Sequence, residues 1–215
     1  TAIAQEGMHG DYGANIGKVI AIRKDLPSLL KAYAAAGSDA RMNGCELPVV
    51  INSGSGNQGL TVSVPLIVYT EREHLDKEKL YRALVISNLT AIHLKTEIGR
   101  LSAFCGAVSA GAACGAGLAY LKDASEEVMN HTIVNALAIT SGIICDGAKA
   151  SCAAKIAVSV EAGILGYDMY MNGQQFYGGD GIISKGIENT IHNIGVLGSQ
   201  GMASTDQEII KIMCE

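Results

Sequence analysis

The chain has 215 residues, enough for one domain with a substantial core, and a formal net charge of −5 from 16 Lys plus Arg and 21 Asp plus Glu. Acidic charge without a long basic stretch excludes a protein that binds the nucleic-acid backbone, because neutralising phosphates requires clustered Lys and Arg. Hydrophobic residues make up 48% and charged residues 17%, which excludes a disordered chain. The apolar residues are small, since 26 glycines and 28 alanines accompany two Phe and no Trp. This composition predicts closely approaching backbones rather than a pocket lined by aromatic rings.

The hydrophobic pattern predicts a mainly α fold, a compact helical domain over residues 1–215 that is rich in small residues and has Gly-rich loops. The predicted helices, in chain order, are Pro27–Ala36, Asp76–Gly99, one opened by Asp123 and Glu126 and running towards Ile144, Lys149–Met171, and one opened by Thr205 and Glu208. Pro48–Ile51 fits extended chain, whereas Val62–Tyr69 fits a strand and a buried helix equally well. A Gly-rich loop is predicted from Asn172 to Gly186.

The segment Leu101–Leu121 carries no charged residue over 21 positions, a length sufficient to cross a membrane. Its composition argues against a membrane span, because Gly, Ala, Ser and Cys supply little of the apolar surface that drives insertion. We therefore predict a helix buried on all sides and no membrane partner. With no secretory leader in the sequence, reduced thiols in a cytoplasmic protein are the simplest interpretation.

A loop rich in Gly, Ser and Asn directly follows the apolar segment Pro48–Ile51. Glycine lets several backbone N–H groups point to one place, and a helix that starts after the loop adds partial positive charge. The loop is therefore a candidate cradle for a carboxylate or phosphate, although an ordinary capped turn has a similar sequence. The candidate substrate-binding residues are Ser53, Gly54, Ser55, Gly56, Asn57 and Gln58.

Six cysteines form the second feature, at positions 45, 105, 114, 145, 152 and 214. Cys145 and Cys152 flank a short segment in which one helix is predicted to end and another to begin, and Cys105 precedes the small-residue helix. Converging helix termini would bring these three thiols together and lower their pKa values. The other three are predicted to pack as small apolar residues. The chain has no close C-x-x-C pair of the kind that zinc prefers. The spacing of the cysteines by itself therefore leaves a metal site as one of the open alternatives.

Ionisable residues near these motifs form the third feature. Asp146 and Lys149 lie between Cys145 and Cys152, and Lys155 follows closely. Asp146 has the alternative role of capping the following helix. His93 is a further candidate for acid–base chemistry, whereas His131 on an apolar helix is predicted to be a core residue.

Three segments together resemble the iron–sulfur L-cysteine desulfidase family, which is related to the α chain of bacterial iron–sulfur L-serine dehydratases. The segments are NSGSGNQG at 52–59, FCGAVSAGAACGAG at 104–117 and GIICDGAKASCAAKIA at 142–157, and GIENTIHNIGVLGSQGM at 186–202 is also similar. The resemblance extends from about Asn43 to Met202, and the cysteine-bearing segments are its most specific part.

The resemblance implies a mainly helical lyase with a [4Fe–4S] cluster held by Cys105, Cys145 and Cys152. An iron without a protein thiolate would then act as a Lewis acid on a small amino-acid substrate, whereas electron-transfer clusters usually have four cysteines. The reaction implied is elimination from L-cysteine to pyruvate, ammonia and sulfide, or from L-serine to pyruvate and ammonia. The loop that contains Ser53 to Gln58, here called the anion loop, would hold the substrate carboxylate. Lys149, Asp146 and His93 are the catalytic candidates within the chain.

Family members carry a further N-terminal segment with a cysteine proposed as the catalytic base, and residues 1–44 here contain no cysteine. We therefore expect a missing N-terminal segment or a partner subunit, and the small-residue helices are compatible with a homo-oligomer. Two other classes stay open. A pyridoxal-phosphate dehydratase would use Lys149 or Lys155 as Schiff base, but the strand–helix alternation typical of that fold is absent. A non-catalytic helical module would bind neither metal nor amino acid.

Overall fold

The computed structural model describes all 215 residues and contains ten α-helices, one π-helical turn and no β-strand. In chain order these are α1 (Ala2–His9), α2 (Ile16–Ala21), α3 (Leu26–Met42), α4 (Gly56–Arg72), α5 (Lys77–Ile98), α6 (Gly106–Leu121), α7 (Glu126–Thr140), α8 (Cys152–Met171), α9 (Ile187–Val196), the π-turn (Leu197–Gly201) and α10 (Ala203–Cys214). The predicted mainly α fold is confirmed. A single domain over residues 1–215 stays a prediction.

Helix α6 lies at the centre of the fold and packs against α4, α5, α7 and α8. Its small residues allow this, because neighbouring backbones come within contact distance of its glycines. A Cβ added at Gly111 would lie 2.3 Å from the backbone oxygen of Ser159 on α8, and one at Gly163 would lie 2.6 Å from that of Gly111. The Gly and Ala content of the sequence is therefore used to bring helices close together around α6.

The uncharged segment Leu101–Leu121 forms the buried helix α6 together with the loop that precedes it. None of the helices combines the length and the apolar character that a bilayer span requires.

The ambiguous segment Val62–Tyr69 is helical and lies inside α4. Val62, Val64, Leu66 and Val68 are all buried, because α4 packs against α3, α5 and α6 and is covered on most sides. A helix surrounded in this way has a continuous apolar run and lacks the periodicity that separates helix from strand. The segment Pro48–Ile51 is irregular chain, as an extended segment without a strand partner would be.

Three predicted helix starts are wrong, since α8 begins at Cys152 rather than at Lys149 and the capping boxes predicted at Asp123 and Thr205 do not form. Helix α7 begins at Glu126 after Ser125, whose hydroxyl accepts from the Val128 N–H at 3.4 Å, while Asp123 has a φ of 60° in the preceding turn. Helix α10 begins at Ala203, two residues before Thr205, and has no side-chain cap. The π-turn leads directly into α10, so the chain is already helical there and its N–H groups have helical partners.

Helices α1, α2 and α9 were not predicted, and α3 is longer than the predicted Pro27–Ala36. Helices α1 and α2 are short and pack against α3 through glycines. A Cβ at Gly7 would lie 2.0 Å from the Ala36 oxygen, and the Gly17 N–H donates to the buried Asp39 carboxylate at 2.9 Å. Tertiary contacts rather than an apolar periodicity of their own stabilise these helices.

Candidate functional site

Three helices begin around one pocket. Ser55 is the N-cap of α4, Cys105 is the N-cap of α6, and Cys152 is the first residue of α8. The first N–H groups of a helix have no partner within it and carry partial positive charge. Their convergence creates a region that favours anions, either thiolates of the protein or a bound carboxylate.

The anion loop is a tight turn with Ser53 and Gly54 at its tip. Asn52 and Ser55 exchange two backbone hydrogen bonds, of 3.1 and 2.9 Å, and both tip residues have positive φ, 49° and 83°. The Ser55 hydroxyl accepts from the Gln58 N–H at 3.4 Å, so the loop also caps α4. The predicted helix after the loop is thus present, and the turn holds the loop residues at the pocket.

A pair of backbone hydrogen bonds brings Cys105 and Cys145 together. The Cys105 N–H donates to the Ile143 oxygen at 3.2 Å, and the Cys145 N–H donates to the Ala103 oxygen at 2.6 Å. The two thiols interact, because the Cys105 thiol stabilises the Cys145 thiolate and lowers the pKa of Cys145, whereas the pKa of Cys105 is raised. Burial raises both pKa values, and Lys155 opposes that effect at each thiol.

Cys152 reaches the same pocket from the start of α8. Its sulfur accepts from the Lys149 N–H and donates to the Gly147 oxygen, both at 3.5 Å. Gly147 has a φ of 93°, a backbone conformation that favours glycine and turns the loop between Cys145 and Cys152 back on itself. All six cysteines are free thiols.

The pocket has a volume of about 290 Å³. It contains all three thiols and most of the anion loop, and four basic residues but no Asp or Glu contribute to its wall. Such a wall suits an anionic ligand. The residues that line it are Arg41, Ser53, Gly54, Ser55, Asn57, Gln58, Lys95, Arg100, Leu101, Ser102, Phe104, Cys105, Gly106, Ala107, Cys145, Gly147, Ala148, Cys152, Lys155 and Ile156.

Lys95 is a pocket residue that the sequence reasoning missed. Only 5% of it is exposed, and its ammonium has neither a hydrogen bond nor an ion pair with a carboxylate. Burial lowers its pKa, and the neighbouring Cys145 and Cys105 oppose that shift. A buried charge without a partner is costly and is therefore a mark of a functional site. The signal in the sequence is a lysine on the apolar face of α5, next to Leu94.

Gln58 is the second buried polar group at the pocket whose hydrogen bonding is incomplete. It is 6% exposed, and its Oε1 has no donor. Gly106 makes room for its amide, since a Cβ there would lie 2.6 Å from the Gln58 Nε2. Next to it, the Asn57 Oδ1 accepts from the Arg41 guanidinium at 3.2 Å, so Arg41 also contributes a charge that the sequence reasoning missed.

None of the three catalytic candidates lines the pocket, and the structure places them differently around it. Asp146 forms an ion pair with Lys155 beside Cys145, and this contact lowers the pKa of Asp146. Lys149 lies at the rim near Gly147 and is exposed. His93 does not line the pocket, and its Nε2 bonds to Glu188 at 2.9 Å on the surface. The alternative role of Asp146 as a helix cap is wrong, because Ser151 precedes α8.

The remaining cysteines do not line the pocket. Cys114 is fully buried in α6 and Cys45 packs against the core, as predicted, but Cys214 is exposed on α10 and the packing prediction for it is wrong. A larger depression of about 610 Å³ lies between α7 and the Gly-rich loop and includes His131. His131 is half-buried and stacks on Tyr170 with ring centroids 4.3 Å apart. This depression contains no cysteine. The pocket lined by Cys105, Cys145 and Cys152, here called the thiol pocket, offers more groups that can bind a metal or react, and it is the candidate functional site.

Fold and pocket define an all-α protein with a cationic, thiol-lined site. The family of the serine dehydratase alpha chain matches residues 1–211, and the chain belongs to this family. The resemblance inferred from the motifs is therefore confirmed.

The chain is similar to curated relatives described as UPF0597 proteins. It is 64% identical to one from Desulfitobacterium hafniense, covering 99% of this chain and 50% of the relative. It is 54% identical to one from Lachnoclostridium phytofermentans, covering 99% of this chain and 52% of the relative. The chain thus spans about half the length of the curated relatives it matches. No solved structure matches it.

Proposed function

We propose that the protein containing this chain catalyses iron–sulfur-dependent elimination from L-cysteine. The α proton and sulfide leave the amino acid, and the resulting enamine is hydrolysed to pyruvate and ammonia. One observation carries the proposal: three cysteines and an anion loop, distant in sequence, line the same cationic pocket. The family membership supports a lyase of the dehydratase type.

Donor chemistry supports the cluster. Cys105, Cys145 and Cys152 are the only cysteines in the pocket wall, and all three are free. No three His, Cys, Asp or Glu side chains lie close enough to surround a single metal ion. A cluster has less compact requirements, because its thiolate ligands bind different irons. When bound, a [4Fe–4S] group with an iron free of protein thiolate supplies Lewis acidity at the leaving group.

The chain's own residues provide the substrate site. We assign the substrate carboxylate to the anion loop from Ser53 to Gln58, with Lys95 supplying a positive charge in the same pocket wall. Gln58 has a free acceptor in Oε1, which suits the substrate ammonium. A cationic wall favours the carboxylate electrostatically, and the buried position of Lys95 strengthens that interaction.

Proton transfer is assigned to the loop between Cys145 and Cys152. Asp146 and Lys149 lie on this loop, whose Gly147 and Ala148 line the pocket, and Asp146 pairs with the pocket residue Lys155, whereas His93 is bonded to Glu188. We further propose that the other half of the full-length protein, or a partner subunit, completes the site. Free thiols throughout the chain support a reducing, cytoplasmic location.

L-serine is the second candidate substrate, and the description of the matching family favours it. The two substrates differ only in the atom that leaves, and hydroxide is the poorer leaving group. Anaerobic assays on the full-length protein separate them. Pyruvate together with sulfide from L-cysteine supports the proposal, and pyruvate from L-serine alone assigns the chain to dehydration.

The first prediction concerns the cysteines and is tested by iron and sulfide analysis of protein purified without oxygen. Cys105→Ser, Cys145→Ser and Cys152→Ser should each remove the brown colour and most of the iron. Cys114→Ser is the matched control, because Cys114 is buried in α6 away from the pocket. Wild-type protein without iron and sulfide would contradict the proposal. Borohydride trapping of Lys149 or Lys155 would instead identify a pyridoxal-phosphate enzyme.

A further inference from the structure

Helix α5 carries a stripe of large apolar side chains on its solvent-facing side. Tyr81, Val85, Leu89 and Ile92 are 57%, 57%, 60% and 46% exposed, and no other helix carries four exposed large hydrophobic residues. Their spacing places them within one narrow arc of the helix, over a length of roughly 16 Å. Soluble surfaces seldom retain a contiguous apolar stripe without a partner.

The opposite side of α5 is already used by the core. Ala83, Ala91, Leu94 and Ile98 are buried, and the helix packs there against α4 and α6. Helix α9 and the π-turn also contact α5, along the side that carries His93 and Glu97. An α5 that packed only against these four elements would need no large apolar side chains on its solvent-facing side, so the exposed stripe indicates a further partner for the same helix.

The stripe continues onto the segment that leads into the anion loop. Val50 and Ile51 are 83% and 63% exposed. Asn52 fixes this segment against α5, because its Nδ2 donates to the backbone oxygen and the Oδ1 of Asn88 at 3.2 and 3.0 Å. We define the α5 patch as Tyr81, Val85, Leu89 and Ile92 together with Val50 and Ile51.

The α5 patch borders the candidate active site. Ile51 and Ile92 line a shallow depression of about 600 Å³ together with Ser53, Gly54, Lys95 and Arg100, four residues that also line the thiol pocket. At the other end of the stripe, the Arg82–Glu78 ion pair, 3.0 Å, adds polar groups at the border. An apolar centre with a polar rim is the usual anatomy of a protein interface.

We propose that the α5 patch docks the other half of the full-length polypeptide. The curated relatives are about twice as long as this chain, so in them a comparable length of polypeptide lies outside the matched half and is available to pack against it. The patch is the most extensive apolar surface that α4 and α6 leave free on α5. Its position at the pocket means that the docked half covers the mouth of the site next to Ser53 and Lys95. The proposal does not depend on the reaction at the pocket.

Hydroxyl-radical footprinting tests the proposal, because it reads the solvent accessibility of side chains directly. The samples are the 215-residue chain alone and the same chain placed in the Desulfitobacterium hafniense relative in exchange for the matched region. We expect oxidation of Tyr81 and Leu89 to fall at least fivefold in the longer protein. Val158 and Leu165 on α8, 52% and 45% exposed, are the controls and should keep their rates. Unchanged oxidation at Tyr81 and Leu89 would overturn the proposal.

A charge placed in the patch provides the second measurement. Leu89→Glu in the longer protein should restore oxidation of Tyr81, whereas Val158→Glu should leave it protected. In the 215-residue chain, Leu89→Glu should keep the melting temperature, because the side chain is mostly in water. Sedimentation equilibrium of the 215-residue chain distinguishes the two possible occupants of the α5 patch, which are the other half of the polypeptide and a second copy of this chain. A dimer that Leu89→Glu dissociates, with Tyr81 protected in the short chain, would identify a second copy and refute docking of the other half.

Discussion

Lys95 is the residue at which stability and function are expected to oppose each other. Lys95 is only 5% exposed and lies beside two thiols without a carboxylate partner, so folding must overcome the loss of much of the hydration of its side chain. Such a cost is tolerated where the charge has a ligand to bind. Two other cations of the pocket do have partners: Lys155 forms an ion pair with Asp146, and Arg41 donates a hydrogen bond to Asn57.

Lys95→Met should therefore weaken substrate binding without weakening the fold. We expect KM to rise about tenfold or more, the value for one lost charged contact, while the melting temperature stays constant or rises. Lys79→Met is the control, since Lys79 pairs with Asp123 outside the pocket at 2.7 Å. Steady-state kinetics and thermal unfolding measure the two effects. An unchanged KM would contradict the role of Lys95.

Asp39 predicts a pH dependence of stability. It is fully buried, its Oδ1 has no donor, and burial raises its pKa against the Gly17 and Ile16 N–H groups and the charge of Lys18. The carboxyl group of Asp39 therefore stays protonated to a higher pH in the folded chain than in the unfolded chain, where its pKa is near 3.8. Its contribution to stability is fully present below that value and is lost as pH rises through the folded pKa.

Asp39→Asn should remove this loss of stability. The free energy of unfolding of the variant should therefore change less with pH between 3.8 and the raised pKa of Asp39 in the folded chain. Urea unfolding of both proteins from pH 3.5 to pH 7 measures the difference, the pH limits being set about the ordinary carboxyl pKa. Asp25→Asn is a control of opposite sign. Hydrogen bonds from Ser28 lower the pKa of Asp25, so its contribution is present above the ordinary carboxyl pKa and lost as pH falls through the folded one. Parallel profiles for wild type and Asp39→Asn would refute the assignment.

At the scale of elements, the contact between α6 and α8 depends on glycine. Gly111→Ala would place a methyl group 2.3 Å from the Ser159 backbone oxygen, which cannot move without shifting α8. We expect a loss of about 1–3 kcal/mol in the free energy of unfolding. Gly142→Ala is the matched control, with nothing within 4 Å and an expected change within about 0.5 kcal/mol. Chemical denaturation measures each value, and equal effects would show that close packing is not the reason.

At the scale of the whole molecule, the three thiols connect separate parts of the chain. Cys105 precedes α6, Cys145 follows α7, and Cys152 opens α8. A group that binds all three stabilises the folded state, because the unfolded chain does not hold them together. Removing iron with a chelator should therefore lower the melting temperature of anaerobic protein. The same treatment should leave Cys152→Ser unchanged, and a lowered melting temperature there would contradict the ligand set.

The sequence by itself was sufficient for the fold class, the buried nature of α6 and the family. Small residues, apolar periodicity and cysteine-bearing motifs are local signals, and each could be read without knowing the neighbours. The capping boxes at Asp123 and Thr205 failed because a cap depends on where the preceding chain runs. Helices α1 and α2 were not predicted because contacts with α3, rather than an apolar periodicity of their own, stabilise them.

Only the tertiary structure decided which residues share the pocket. Cys105 and Cys145 meet through two backbone hydrogen bonds between loops, and Lys95 reaches them from the buried face of α5. His93, also on α5, instead faces Glu188 on the surface. Two residues on one helix, two positions apart, point to different sides, and what lies on each side is determined by the packing of other helices. Sequence spacing specifies the direction of a side chain, but the packed neighbours determine its chemistry.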